Sequence, residues 1–165
     1  MRARLALIFL MVLAGSAYGA EWTSYANGRF GVTIDVPPGF VNGVPEPANG
    51  DGLTFHSADG KAELLVWGNN LVDADFSQDV AARLKTDTDD DWNISYAAGV
   101  DGEGWQAYSG TREGRLLYAK SIASCKNTQA LHFRLEYPAA QKDDYDPIVE
   151  RLGMSLKAGP ASDCP

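Results

Sequence analysis

What this chain lacks narrows its chemistry first. Two cysteines and two histidines among 165 residues leave no Cys/His set with the close spacing that holds zinc. Bases are outnumbered by acids, 14 against 22, and so negative a chain is repelled by nucleic acid and by anionic membrane surfaces. There is no G-x-S-x-G elbow and no CxxC pair, so neither a nucleophile elbow nor a dithiol redox motif is present. Gly102-Glu103-Gly104 lacks the rest of a dinucleotide fingerprint and belongs to a turn. The longest apolar run, Leu5 to Ala14, falls short of the about twenty residues that cross a bilayer.

That run has a different reading. Arg2 and Arg4 precede it, and Gly15, Ser16, Ala17 and Gly19 follow it, the order of a secretory signal peptide. Ala17 and Gly19 place cleavage ahead of Ala20. In Leu13-Ala14-Gly15-Ser16 a serine stands where a lipoprotein box needs cysteine, so no lipid anchor is expected. The expected organisation is a signal peptide over residues 1–19 and a single domain over 20–165. The expected location is the periplasm of a Gram-negative bacterium, or the medium. Cleavage moves the formal charge from −8 to about −10, which suits a soluble exported monomer or one that meets a basic partner. In an oxidising compartment Cys125 and Cys164 pair as a disulfide; the alternative is two free thiols. The closed loop of about forty residues contributes roughly 4 kcal/mol in the chain-entropy model.

Periodicity supplies the elements. Leu131, Phe133, Leu135 and Tyr137 alternate with His132, Arg134 and Glu136, a strand with one apolar face that stops at Pro138. Tyr145, Ile148, Val149, Leu152 and Leu156 then recur at helical spacing, with Asp144 or Asp146 as the expected cap and Pro147 in the first turn. Upstream, Phe30 to Val36 alternates, and Asp59-Gly60 turns a hairpin between Leu53–Ser57 and Ala62–Trp67. Asp73 to Lys85 reads as a helix whose Phe76, Val80 and Leu84 share a face, with Asp75 and Gln78 as a capping box. The segments 92–98, 104–111, 115–124 and 129–137 read as further strands. Between Pro37 and Gly52 a Pro- and Gly-rich loop of unusual length invites a functional role. The fold class is α+β: a central antiparallel sheet of about six to seven strands covered by two main helices.

Some of these residues carry a resemblance. Tyr25-x-Asn27, Arg29-Phe30-Gly31-Val32-Thr33-Ile34-Asp35-Val36-Pro37 and Gly39-Phe40, with the closing Tyr137-Pro138 and helix through Ser155-Leu156, resemble the opening strand and ending of PsbP-like domains. The resemblance implies an antiparallel sheet between helices and binding to a larger partner rather than a reaction. Within that family the exported bacterial members are the expected branch.

Candidate chemistry is sparse. Asp87, Asp89 and Asp91 form a D-x-D-x-D run with Asn93 next in phase, as hard-cation loops begin. Trp92 stands where glycine is needed and Ala98 where the bidentate glutamate belongs, so a solvated acidic loop is the favoured reading. His132 and Arg134 are candidates for ligand contact; both are expected on a polar strand face beside Glu136. His56 has no partner the sequence names. Trp22, Trp67, Trp92 and Trp105 are expected mainly in the core. The expected function is an exported, non-enzymatic binding or accessory module without a cofactor, acting on a protein or a small ligand. The alternatives are an acidic inhibitor or chaperone-like partner of a basic periplasmic protein, and a hydrolase using His132.

Overall fold

A computed structural model describes residues 21–43, 45–99, 104–162 and 164; the expected signal peptide lies outside them. In chain order the elements are β1 (Thr23–Ala26), β2 (Val32–Val36), β3 (Phe40–Asn42), β4 (Gly52–Ser57), β5 (Glu63–Asn70), α1 (Phe76–Asp89), β6 (Asn93–Ala98), β7 (Trp105–Arg112), β8 (Arg115–Ser124), β9 (Gln129–Pro138), α2 (Lys142–Ser155) and β10 (Lys157–Ala158). Seven strands form one antiparallel sheet in the order β3-β4-β5-β9-β8-β7-β6. The fold is α+β, as the sequence indicates.

Alternation in β5 and β9 builds the core. Leu64, Val66, Leu131, Phe133 and Leu135 are fully buried on one sheet face. They pack against Val32, Ile34 and Val36 of β2 and against Tyr145 and Leu152 of α2. Burial of each such side chain is worth about 1.5–3 kcal/mol. The opposite face carries α1 and a smaller cluster of Trp92, Tyr108, Leu117 and Ala119, with Leu84 against it.

Three departures from the sequence reading have physical causes. Phe30–Val36 is not part of the large sheet: β2 lies between β1 and β10 in a three-stranded sheet of its own. Alternation specifies a buried face, but not the neighbouring strand. α1 runs four residues beyond Lys85 to Asp89, because Asp87 finds buried partners inside the fold. α2 starts at Lys142 with no side-chain cap, so Pro147 is interior. It is exposed, and the only intrahelical bond it withholds is on the solvent side. The Pro37–Gly52 segment is tied down: β3 pairs with β4, Asn27 Nδ2 donates to Glu46 and to the Gly50 carbonyl at 2.9 and 2.8 Å, and Arg29 donates to Asn49 O at 2.6 Å.

The hairpin between β8 and β9 is left-handed over three consecutive non-glycine residues, with φ of 47°, 56° and 67° at Cys125, Lys126 and Asn127. That conformation costs L-residues about 1–2 kcal/mol each. Cys125 is bonded to Cys164 with Cα atoms 5.5 Å apart, which fixes the C-terminal strap after β10. The strap lies on Gly31, whose φ is +70° and whose missing Cβ would stand 2.5 Å from the Gly159 carbonyl oxygen. Only glycine fits there.

Leu135→Ala is expected to cost about 2–5 kcal/mol. Urea unfolding followed by circular dichroism reads this loss, and a cost under 1 kcal/mol would mean that the face collapses around the gap.

Candidate functional site

Register sets two rows of side chains on the sheet face beneath α1. One row is Trp67, His132, Ser121 and Gln106; the next is Leu65, Arg134, Ala119 and Tyr108. From above, α1 presents Asp79, Arg83 and Asp87 at intervals of four, alongside Val80 and Leu84. The stripe that faces the sheet is therefore half charged. Polar groups rather than close apolar packing span the interval.

The first tie is a clamp on Asp87. Arg134 Nη1 donates to both of its carboxylate oxygens at 2.6 and 2.7 Å, and the Tyr108 hydroxyl donates to Oδ2 at 2.5 Å. Arg134 Nε also donates to Glu136 at 2.8 Å. Burial alone would lower the Arg134 pKa, but its bonds to Asp87 and Glu136 outweigh that and raise it. Burial, and then the Asp87 carboxylate, push Tyr108 up, so it stays a donor.

The second tie passes through Asn69. Arg83 donates from Nε to Asp79 and from Nη2 to Asn69 Oδ1, each at 2.8 Å. His132 Nε2 lies 2.7 Å from the same Asn69 oxygen, and its Nδ1 lies 2.7 Å from Ser121 Oγ. Because Asn69 Oδ1 is an acceptor, Nε2 carries the proton, and Nδ1 accepts from the Ser121 hydroxyl. Burial, followed by the charge of Arg83, holds His132 well below the ordinary histidine value. It is neutral, and its ring stacks on Trp67 with centroids 4.7 Å apart.

Between α1 and the two rows is a groove of about 350 Å³, lined among others by Trp67, Arg83, Asp87, Tyr108, Ser121 and Arg134. Gln106, beside Ser121 in the same row, has a buried Oε1 without a hydrogen-bond donor among the described residues.

His132 and Arg134 are thus brought together, but the face they share is not the solvated one that their alternation suggests. α1 covers it, and His132 is 1% exposed. The acidic run is not a loop either. Asp87 and Asp89 lie inside α1, where residues two apart point away from each other. Asp89 is exposed and bonded to Lys85, while Asp91 follows the helix with φ of 66°. The three carboxylates do not converge, and no group of three metal-binding side chains occurs among the described residues. His56 sits apart on β4, 3.6 Å from Glu63. Trp92 is core, whereas Trp22 and Trp105 are partly exposed beside Arg151 and Lys120. Asn69, Asp79, Arg83, Ser121 and Gln106 were not read from the sequence. The available signal was the charged stripe of α1 at intervals of four.

His132 makes stability pH-dependent. The unfolded chain takes up a proton near pH 6.5 that the folded state refuses, so stability is complete above that pH and falls as the pH drops below it. The slope reaches about 1.4 kcal/mol per pH unit. Urea midpoints measured between pH 5 and 8 should show this fall, and His132→Gln should flatten it. An unchanged slope in the variant would assign the effect to other groups.

No family model matches the sequence, and no curated protein matches it. Solved structures do. Cyanobacterial PsbP from Synechocystis superposes with a TM-score of 0.63 at 16% identity, over 88% of this chain and 96% of that one. The Ran-binding protein Mog1p of Saccharomyces cerevisiae superposes with a TM-score of 0.62 at 10% identity, over 88% of this chain and 100% of that one. A Mog1 variant gives 0.63 at 10% identity, over 86% and 98%. The α+β arrangement described above is the PsbP-like fold that these proteins share.

Proposed function

We propose that this chain is an exported, non-enzymatic binding module that takes a small ligand, or a side chain of a protein partner, into the groove beneath α1. The observation that carries the reading is the way α1 is held. Ion pairs suspend it over the sheet and leave about 350 Å³ between them, within the about 300–1,000 Å³ of ligand pockets. The floor joins apolar and aromatic side chains, among them Leu65, Trp67 and Tyr108, to Arg134, and Ser121 Oγ retains acceptor capacity there. Sharing a fold with a Ran-binding protein supports a protein partner, and the excess of acids favours a basic one. The N-terminal pattern and the disulfide support export.

Thr86 stands exposed at the rim of the groove, so Thr86→Trp would fill it without touching either tie. Thermal melting against fractionated small molecules should find one that raises the midpoint of the wild type. At a hundredfold over Kd the gain is about 2.7 kcal/mol. The variant should melt near the wild type and show no gain. An equal gain in both proteins would place the ligand elsewhere.

A hydrolase is the second reading, favoured by one observation: a neutral His132 accepts the hydroxyl proton of Ser121, a groove-lining serine, while Asn69 orients the ring. A fluorophosphonate probe separates the two. Binding without turnover leaves Ser121 unlabelled, and labelling that His132→Gln abolishes would establish the hydrolase.

A further inference from the structure

We propose that Cys125–Cys164 is a redox latch whose reduction frees the C-terminal strap and resets the segment that leads into α1. This stands apart from whatever the groove binds. Three L-residues in a row adopt the left-handed region at Cys125, Lys126 and Asn127, where single residues are the usual limit. Lys126 and Asn127 are exposed, so side-chain burial does not hold them there. What holds the turn is at its ends: the disulfide on Cys125, and Thr128, whose hydroxyl and amide donate to the Cys125 carbonyl at 2.7 and 3.2 Å. The Thr128 carbonyl in turn accepts from the Leu71 amide at 2.8 Å. Leu71 is the first residue after β5, four before the Asp75 cap of α1. The other end of the bond anchors the strap, whose Gly159 and Ser162 amides donate to the Gly31 and Gly28 carbonyls at 2.6 and 3.1 Å.

Cys164 is exposed and Cys125 half-buried, so the sulfur open to attack is that of Cys164. A dithiol donor attacks it through one thiolate, forming a mixed disulfide and releasing the Cys125 thiolate. The second thiol of the donor then displaces Cys164. The products are two protein thiols and the oxidised donor, with two electrons transferred. The turn then relaxes toward right-handed conformations, Thr128 shifts, and Leu71 loses its acceptor.

Amide hydrogen exchange on the full chain, oxidised and after dithiothreitol, tests the latch. Reduction should speed exchange at Leu71, Gly159 and Ser162 at least tenfold and leave β9 protected. In Lys126→Gly the left-handed centre is free of strain. There Leu71 should stay protected after reduction while Gly159 and Ser162 still open. Leu71 unchanged within twofold in the wild type would overturn the proposal, since the bond would then tie the tail alone. Loss of protection throughout β9 would overturn it too, reducing the bond to a global staple.

Discussion

The Asp87 carboxylate is the point on which the α1 side of this molecule depends. It is 5% exposed, and it accepts from Arg134 on β9 and from Tyr108 on β7. One helical side chain is thereby fastened to two strands on either side of β8. A buried carboxylate is costly to desolvate and is tolerated only when its oxygens are filled. Here the filling groups come from the sheet, so the helix can settle in one place. Remove the arginine and the cost of burying Asp87 is no longer offset; remove Asp87 and a half-buried guanidinium is left over the Trp92 ring, 5.5 Å from its centroid.

The two faces of the sheet are built on different physics. On the α2 side, aliphatic and aromatic chains interdigitate and exclude water, with Tyr137 and Tyr145 stacked at 4.5 Å. On the α1 side, charges and amides reach across a gap, and each end is satisfied by a group of matched polarity. Close packing gives rigidity and leaves no room, whereas polar spacers fix position and leave space. The groove is a result of that second arrangement.

The legible parts of the sequence were those where burial and polarity agree. In 129–156 the period changes from two to near four at Pro138, and β9 and α2 follow directly. The Asp75–Gln78 capping box was readable because its spacing is its mechanism. The disulfide could be inferred from cysteine count and the expected compartment. The burial of the face beneath α1 was not legible, because His132, Arg134 and Glu136 alternate as solvated residues do, and period alone does not separate a wet polar face from a satisfied buried one. The separate three-stranded sheet was also hidden, since the residues of β1 and β10, apart from the partly buried Tyr25, are exposed and carry little apolar signal. Pro147 misled for a related reason: proline marks a first turn only when an interior site would lose a buried bond.

The three-stranded sheet has a bearing on how the chain is made. β2 pairs with β1, a few residues before it, and with β10, near the C-terminus; the Thr33 hydroxyl reaches the Lys157 carbonyl across 124 positions. Asp35 is held by Arg151 and Ser155 at comparable separations. A ribosome delivers α2 and β10 long after β2, so one flank of an apolar strand must wait while the strands between them are made. Contacts this distant in sequence slow folding, because a long loop must close before they form. A nascent chain therefore carries Val32, Ile34 and Val36 without Tyr145 and Leu152 beside them until α2 emerges, and the small sheet is completed only when β10 follows.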